Sequence, residues 1–160
     1  MKVLVIGSGG REHAIAWKLS LSKKIDKLFC APGNPGTQEM CENVQIAVDD
    51  IDNLVKFAKE NQIDLTVIGP EYPLTLGIVD EFKKEGLRVF GPTKAAAQIE
   101  GSKSFSKEIM DAAGVPTAKY KSVSNKSDLE KVLAELGSPI VIKNDGLAAG
   151  KGVFVCLNDQ

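Results

Sequence analysis

A repeated order of segments constrains the fold more than any other feature of this sequence: a short β-branched stretch, a stop containing glycine or proline, and then a helical pattern. Residues 2–6 (K-V-L-V-I) are almost wholly apolar, and residues 7–10 (G-S-G-G) interrupt them. An apolar stretch of this length is typical of a strand buried on both faces of a parallel sheet. The same pattern predicts strands at 27–31, 44–48, 63–68 and 87–90. Strands that alternate with helices predict an α/β fold with right-handed crossovers, and we expect one domain to close near residue 100.

The segments between these strands carry the 3.6-residue period of helices. The clearest has apolar residues at i, i+3, i+4 and i+7, namely Ile51, Leu54, Val55 and Ala58. Two further helices are predicted in the same way, one from Arg11 through Ala14, Trp17 and Leu21, and one through Leu74, Ile78 and Phe82 to Gly86. Loops that follow the strands then gather at the carboxyl edge of the sheet, where α/β folds bind ligands.

After residue 100 the character of the chain changes. Residues 102–113 predict a helix, and residues 127–130 (S-D-L-E) predict a capping box that opens another. They are followed by a predicted strand at 139–143, a glycine- and alanine-rich loop at 145–152 and a returning strand at 153–157. So few elements bury little apolar surface alone, and we expect this part to belong to a larger unit.

Charge and composition exclude several classes of protein. The chain has 20 basic and 21 acidic residues, whereas a nucleic-acid binder usually shows a clear basic excess. No apolar run approaches the roughly 20 residues that span a bilayer, and no secretory signal follows Met1. The single His13 and the cysteines Cys30, Cys41 and Cys156 do not have the spacing of metal ligands. An odd and sparse set of cysteines is typical of reduced thiols in a cytosolic protein. We therefore expect a cytoplasmic protein with no metal site in this chain and no nucleic-acid or membrane partner.

Residues 7–13 (G-S-G-G-R-E-H) join the first strand to its helix. Glycines at such a turn let backbone N–H groups approach an anion at the positive end of the helix dipole, and Arg11 adds a charge-assisted donor. A dinucleotide fingerprint needs a glycine where Glu12 stands, and no acid ends the second strand, which argues against a nicotinamide-dependent oxidoreductase. We predict a phosphate site here, with a tight turn that binds nothing as the alternative.

Two further loops lie at the same predicted edge. Residues 33–37 (G-N-P-G-T) combine close backbone approach with the hydrogen-bonding side chains of Asn34 and Thr37. Residues 69–71 (G-P-E) place a carboxylate after the central strand, where it suits an amine or ribose hydroxyls. Taken singly, a segment such as 33–37 is more often an ordinary loop than a site, and a glutamate such as Glu71 is as often merely solvated.

The last loop carries the second candidate site. Lys143 ends a strand, and residues 145–152 (D-G-L-A-A-G-K-G) follow it with a second lysine, Lys151. Ammonium groups neutralise phosphate charge and a small-residue loop excludes water, so the pattern predicts a cover for a polyphosphate. Its spacing differs from that of a Walker A motif, and a plain hairpin with a mobile tip is the alternative. Lys103 lies near a predicted helix start, where a solvated lysine is the commonest case.

Five motifs in this order resemble the phosphoribosylamine–glycine ligases, also called glycinamide ribonucleotide synthetases, from residue 1 to about residue 155. They are V-I-G-S-G-G-R-E-H-A at 5–14, A-P-G-N-P-G-T at 31–37, G-P-E-Y-P-L at 69–74, F-G-P-T at 90–93 with E-G-S-K at 100–103, and V-I-K-N-D-G-L-A-A-G-K-G-V at 141–153. Each motif is modest, but the series is specific. A related ATP-grasp carboxylase shares the layout without the G-G-R-E-H-A and D-G-L-A-A-G-K-G strings.

The resemblance implies a fold and a domain order. The implied fold is α/β, with a Rossmann-like parallel sheet (the pre-ATP-grasp domain) followed by the incomplete start of an ATP-grasp domain. The implied bounds are 1–101 for the phosphoribosylamine-binding domain, 102–121 for the start of the ATP-grasp core, and 122–160 for part of its lid.

The resemblance also implies an activity, the ATP-dependent ligation of glycine to 5-phosphoribosylamine through a glycyl phosphate, which yields glycinamide ribonucleotide, ADP and phosphate. The implied cofactors are ATP and Mg²⁺, with Mn²⁺ as an alternative, and the implied partners are these small molecules. No catalytic set is complete here and the metal ligands are absent, so we expect the fragment to be inactive alone, with the remainder of the ATP-grasp domain missing. A non-catalytic module that binds a phosphorylated sugar or a nucleotide is the alternative.

By the same resemblance, two groups of residues are assigned to ligands. The ATP-binding residues are Lys103, Lys143, Asp145, Gly146, Leu147, Ala148, Ala149, Gly150, Lys151 and Gly152. The substrate-binding residues are Gly9, Gly10, Arg11, Glu12, Asn34, Pro35, Gly36, Thr37, Gly69 and Glu71.

Overall fold

The strands and helices alternate along the first two-thirds of the chain. The structure is a computed structural model that describes residues 1–148 and 150–158, and the chain divides into two units, Met1–Ala97 and Gln98–Gln160. The elements that begin before the boundary are, in order, β1 (Lys2–Gly7), α1 (Gly10–Ser20), β2 (Lys27–Pro32), a 3₁₀ turn (Thr37–Glu39), β3 (Glu42–Asn43), α2 (Ile51–Glu60), β4 (Leu65–Ile68), α3 (Glu71–Leu76), α4 (Ile78–Lys84), β5 (Val89–Phe90) and α5 (Lys94–Gly101), the last of which crosses it.

The five strands of the first unit form one parallel sheet in the order β3-β2-β1-β4-β5. Alternate side chains of β1 enter two separate cores: Leu4 and Ile6 pack in one, and Val3 and Val5 pack in the other. Both faces of the central strand are therefore buried, as its apolar sequence predicts. The order reverses between β1 and β4, which is the switch point where doubly wound folds bind ligands. The predicted α/β, Rossmann-like sheet is confirmed.

The third strand lies elsewhere than the sequence predicts. It spans Glu42–Asn43, whereas the prediction placed it at 44–48. The Val44 N–H still donates to the Cys30 carbonyl at 2.8 Å, and pairing with β2 ends there. Val44, Ile46 and Val48 are partly buried against the core without pairing in the sheet. The alternating apolar residues predicted a strand because such residues pack on one face of a sheet, but here they are partly buried from a loop.

Helix contacts agree with the sequence in some places and differ in others. α2 buries Leu54 and Ala58, as its period predicts. The single helix predicted through Leu74, Ile78 and Phe82 is two helices, because Gly77 adopts a left-handed φ of +102° between α3 and α4. On α1, Ala16 packs on the sheet while Trp17 is 53% exposed, so the face marked by Ala14, Trp17 and Leu21 lies in solvent.

The second unit contains two helices and a hairpin. These are α6 (Lys103–Ala112), α7 (Lys126–Leu136), β6 (Ile140–Lys143) and β7 (Val153–Cys156), with β6 and β7 antiparallel. The N-cap of α7 lies two residues before the predicted one, because the Asn125 side chain accepts the Asp128 N–H at 2.9 Å in place of Ser127. Along their described lengths α6 and α7 bury no residue. The unit leaves apolar side chains such as Phe154 exposed, as expected of part of a larger core.

Among residues 1–148 and 150–158, no helix combines the length and the apolarity that crossing a bilayer would require.

Phe82 tests the core of the first unit. It is fully buried with Leu54 and Ile78, and Phe82→Ala should lower the free energy of unfolding by about 3–5 kcal/mol because it leaves a cavity. Urea unfolding followed by fluorescence of Trp17, the single tryptophan, reports on this unit. Phe90→Ala is the matched control, since Phe90 is 69% exposed and should change stability by less than about 0.5 kcal/mol. Equal losses in the two variants would contradict this description of the core.

Candidate functional site

The turn between β1 and α1 presents backbone to solvent while it buries an acid. Ser8, Gly9, Gly10 and Arg11 are exposed, but Glu12 is only 3% exposed. The Glu12 carboxylate accepts the Gly9 N–H at 2.8 Å through Oε2 and the Arg11 Nε–H at 2.8 Å through Oε1. Glu12 therefore satisfies one of the free N–H groups at the start of α1 from inside the protein.

Glycines leave the space that Glu12 occupies. A Cβ on Gly7 would lie 2.3 Å from the Glu12 Cγ, and a Cβ on Gly69 would lie 2.2 Å from its Oε1. Gly7 ends β1 and Gly69 follows β4, so the carboxylate fills the gap at the switch point of the sheet. The Gly69 N–H donates to the Ile6 carbonyl at 2.9 Å and closes the same gap from the backbone side. The two loops predicted as parts of one site are brought together here.

Arg11 connects this turn with the loop after β4. Its Nη2 donates to the Glu71 Oε2 at 3.3 Å, and its side chain is 57% exposed. The hydrogen bond to Glu12 raises the pKa of Arg11, burial opposes this, and Glu71 raises it further. The pKa of Glu71 is lowered, first by a hydrogen bond from its own backbone N–H and also by Arg11, against an opposing effect of burial. Both groups are therefore charged at neutral pH.

The loop after β2 is held by a closed set of hydrogen bonds. The Asn34 N–H donates to the Thr37 Oγ1 at 2.8 Å, and the Thr37 N–H donates to the Asn34 Oδ1 at 3.0 Å. The Asn34 amide also donates to the Ser8 carbonyl at 2.8 Å, so this loop is tied to the β1–α1 turn. Thr37 is fully buried, whereas Pro35 is exposed.

Two residues that were not assigned to a ligand, Asn43 and His13, support this loop. The Asn43 side chain donates to the Asn34 carbonyl and accepts the Thr37 hydroxyl, each at 2.8 Å. The His13 ring lies against Gly36, since a Cβ there would be 2.5 Å from the His13 Cε1. Asn43 lies in the two-residue edge strand that the sequence misplaces, and no feature of the sequence marks its role in this loop.

A cavity of about 610 Å³ opens in the second unit beside the glycine-rich loop. Two of its lining residues, Lys103 and Lys143, are those that the resemblance assigns to ATP phosphates. Three further lysines line it that the sequence analysis did not single out: Lys107, Lys119 and Lys121. The remaining wall is largely apolar and includes Leu129, Val132, Leu136, Ile140 and Ile142. A cavity with ammonium groups on an apolar wall suits a ligand with a multiply charged anionic end.

The glycine-rich loop is closed at its base and shaped by glycines. The Asn144 N–H donates to the Gly152 carbonyl at 2.8 Å, and the Lys151 N–H donates to the Ala148 carbonyl at 2.8 Å. Gly146 and Gly150 have left-handed φ angles of +87° and +76°. Leu147, Gly150 and Lys151 are exposed; Ala149, assigned to ATP by the resemblance, lies outside the described residues.

Asp145 faces the start of α6. Its Oδ1 accepts the N–H groups of Lys103 at 2.6 Å, Ser104 at 3.2 Å and Gly146 at 3.0 Å. Burial acts to raise the pKa of Asp145, but the backbone hydrogen bonds from Ser104, Lys103 and Gly146 outweigh it, and the pKa lies below its ordinary value. The Lys103 Nζ in turn donates to the Gly146 carbonyl at 2.6 Å. The loop and α6 are therefore joined by contacts in both directions.

Among residues 1–148 and 150–158, no group of three histidine, cysteine or acidic side chains lies close enough together to hold a metal ion. Cys30 and Cys41 approach with their sulfurs 3.3 Å apart, and burial raises the pKa of both thiols. Both thiols are therefore mainly protonated at neutral pH, and the two cysteines pack like small apolar side chains.

Comparison with known proteins decides the family. Residues 1–100 match the model of the phosphoribosylglycinamide synthetase N domain, and residues 101–160 match the model of the ATP-grasp (A) domain of the same synthetase. The chain belongs to the phosphoribosylglycinamide synthetase family. This membership confirms the resemblance found in the sequence and the ATP-grasp character of the second part.

Curated relatives of this synthetase family are longer than the chain. The phosphoribosylamine–glycine ligase of Halalkalibacterium halodurans is 54% identical over 160 residues, which cover 100% of this chain and 37% of the relative. The ligase of Brucella melitensis is 53% identical, again over 100% of this chain and 38% of the relative. The chain therefore spans a little over a third of the length of the curated relatives that it matches.

The chain is similar to solved structures both inside and outside its family. The phosphoribosylamine–glycine ligase of Thermotoga maritima is 32% identical with a TM-score of 0.74, over 98% of this chain and 36% of that one. The biotin carboxylase domain of the Hydrogenobacter thermophilus 2-oxoglutarate carboxylase, solved with the magnesium salt of ADP, is 21% identical with a TM-score of 0.75. It covers 98% of this chain and 37% of the carboxylase domain, and at this identity it shows the shared fold alone.

Gly69→Ala tests the buried Glu12. The added methyl would overlap the Glu12 Oε1, so we expect a loss of about 1–3 kcal/mol in the free energy of unfolding, measured by urea and Trp17 fluorescence. Gly10→Ala is the control, because no atom lies within 4 Å of a Cβ there, and it should change stability by less than about 0.5 kcal/mol. When Glu12 is already replaced by alanine, Gly69→Ala should lower the free energy of unfolding by less, because the overlapping side chain is gone. An equal loss in both backgrounds would show that the methyl does not act through Glu12.

Proposed function

We propose that this chain is the amino-terminal portion of a phosphoribosylamine–glycine ligase. The complete enzyme joins glycine to 5-phosphoribosylamine with ATP and releases glycinamide ribonucleotide, ADP and phosphate. The observation that carries the proposal is the match of both parts of the chain, residues 1–100 and 101–160, to two consecutive domains of one synthetase. Identity of 54% to such ligases over the whole chain supports it.

The proposed reaction has two steps, and each changes the charge that the protein must balance. First, the glycine carboxylate attacks the γ-phosphorus of ATP and ADP leaves, which gives glycyl phosphate. Then the amine of phosphoribosylamine attacks the glycyl carbonyl carbon, phosphate leaves, and the nitrogen loses a proton to give the amide. Such a sequence depends on positioning and on neutralising phosphate charge rather than on a nucleophile of the protein.

The second unit is proposed to hold the ATP phosphates. Lys103 and Lys143 line the same cavity and supply ammonium groups for the phosphate oxygens. Residues 145–152 are proposed to cover these phosphates, with Gly146, Gly150 and Gly152 allowing their backbone to approach. A cavity with several lysines supports this assignment, because a triphosphate needs more than one compensating charge.

The first unit is proposed to hold phosphoribosylamine. The Gly9 N–H already donates to Glu12, so the exposed turn offers the backbone at Gly10. Arg11 adds a charged donor for a phosphate or hydroxyl oxygen. The charged Glu71 suits the amine or the ribose hydroxyls. Glu12 and Thr37 are buried and hydrogen-bonded within the protein, so we propose that they act by holding the loops that carry Gly69, Asn34, Pro35 and Gly36.

The metal is proposed to bind outside this chain. ATP-dependent ligation uses Mg²⁺, with Mn²⁺ as an alternative, and its ligands are proposed to belong to the additional length of the relatives. We therefore propose that the chain alone is inactive and that the complete ligase acts in the cytoplasm on small molecules. The lysine and arginine groups described above fit the phosphate portions of two ligands and do not by themselves form a metal site.

Calorimetry of this chain with ribose 5-phosphate tests the sugar site. We expect weak binding, and Arg11→Ala should weaken it by about tenfold or more, because a charge-assisted hydrogen bond is lost. Lys18→Ala removes a cation from the same helix away from the turn and serves as the control. Equal loss in the two variants would contradict the role of Arg11. A non-hydrolysable ATP analogue should bind this chain little; tight binding of the analogue without ligase activity in the complete protein would favour a non-catalytic nucleotide-binding module.

Lys143→Ala tests the nucleotide site in a complete ligase that carries this sequence. The apparent KM for ATP should rise by about tenfold or more while the KM for phosphoribosylamine stays within about twofold, because only phosphate neutralisation is lost. Lys126→Ala removes an 89% exposed lysine outside the cavity and should leave both constants unchanged. Steady-state kinetics with each substrate varied decides, and unchanged ATP kinetics in Lys143→Ala would refute the assignment.

A further inference from the structure

The first turn of α6 has an unusual partner. A helix begins with N–H groups that have no carbonyl within the helix to receive them. The Ser102 side chain takes the Phe105 N–H at 3.1 Å as an ordinary N-cap. The Lys103 and Ser104 N–H groups, by contrast, both donate to Asp145, a residue more than 40 positions further along the chain. The acceptor is therefore a distant carboxylate at the base of the glycine-rich loop.

The contact runs in both directions. Asp145 also accepts the Ser102 hydroxyl, at 3.2 Å through Oδ2. The Lys103 ammonium crosses in the opposite direction and donates to the Gly146 carbonyl at 2.6 Å. Each partner thus gives a side chain to the other's backbone, an arrangement that we call the Asp145 clasp. It fixes two points of the loop base, residues 145 and 146, against the start of α6.

The clasp joins the groups that face the cavity. Lys103, Lys143 and Asp145 all line it, and Asp145 follows the end of β6 by two residues. The Asn144 N–H bond to the Gly152 carbonyl closes the loop just outside the clasp. Without Asp145, the Lys103 side chain would lose the loop that orients its ammonium, and the loop would lose its attachment to α6.

The clasp also decides which positive groups remain for a ligand. The start of a helix attracts anions through its N–H groups and its dipole. At α6 this position is filled by a carboxylate of the protein itself, so an incoming phosphate is left with the lysine ammonium groups and the loop backbone. The family resemblance assigns Asp145 to ATP, but an anionic side chain is itself a poor partner for a phosphate.

We propose that Asp145 is a positioning residue for the nucleotide, which acts by clasping the glycine-rich loop to α6 and thereby orients Lys103 toward the ATP phosphates. The inference rests on the proposed function, since it presumes that the cavity receives ATP. The clasp itself is independent of that ligand. A direct role for Asp145, as a ligand of the nucleotide or of its metal ion, is the competing explanation.

Asp145→Asn separates the two roles in the complete ligase. An asparagine keeps the acceptor oxygen and the shape, and it caps helices as well as aspartate does, so the clasp should persist. We expect the KM for ATP to change by less than about fivefold, the range of a lost charge–dipole contact. Asp145→Ala removes the acceptor and should raise the KM for ATP by about tenfold or more, with the KM for phosphoribosylamine unchanged. A loss in Asp145→Asn as large as that in Lys143→Ala would overturn the proposal in favour of a direct ligand.

Amide hydrogen exchange of this chain tests the clasp without any nucleotide. In Asp145→Ala the Lys103 and Ser104 amides should exchange about tenfold faster or more, and Asp145→Asn should restore most of the protection. The Asp128 amide, capped by Asn125 at the start of α7, is the internal control and should not change. Unchanged exchange at Ser104 in Asp145→Ala would overturn the clasp. If Asp145→Ala speeds amide exchange but leaves the KM for ATP unchanged, the clasp exists and only its role in positioning is overturned. If Lys143→Ala leaves the ATP kinetics unchanged, the proposed nucleotide site itself is overturned.

Discussion

Two of the glycine-containing loops, the β1–α1 turn and residues 145–152, are each held by a carboxylate of the protein. In both cases the carboxylate accepts N–H groups at the start of a helix. In the first unit Glu12 receives the Gly9 N–H at the start of α1, and in the second Asp145 receives the Lys103 and Ser104 N–H groups at the start of α6. The free N–H groups of a first turn must find acceptors, and a carboxylate is a strong one. Both loops therefore have defined positions before any ligand binds.

This arrangement separates the groups that shape a site from those that can bind in it. Glu12 is buried and accepts the Gly9 N–H, and Asp145 accepts backbone N–H groups, so each carboxylate already has donors within the protein. Arg11, Lys103 and Lys143 are the cations proposed to meet the anionic substrates. An enzyme that binds a sugar phosphate and a triphosphate must neutralise several negative charges. Cationic side chains on loops whose positions are already fixed can do so with little rearrangement of the protein.

The sequence predicted the helices and strands that have a local periodic pattern. Its predictions were wrong where the structure depends on contacts with distant segments or on one backbone angle. The strand at residues 2–6 and the helix through Leu54 and Ala58 were predictable because period and burial coincide. The edge strand at Glu42–Asn43 was not, because its pairing with β2 depends on where the loop after β2 turns. The break at Gly77 was also missed, since an apolar period continues across it and only the left-handed φ reveals it.

The sequence by itself determined the α/β class, the glycine positions and the family, because short motifs and periodicity are properties of neighbouring residues. Only the tertiary structure decided what the acidic residues of those motifs do. Glu12 and Asp145 lie in ligand-binding patterns, yet each meets backbone N–H groups, and for Asp145 those of Lys103 and Ser104 come from more than 40 residues away. A carboxylate binds whatever donors the fold brings to it, and linear spacing does not specify which donors those are.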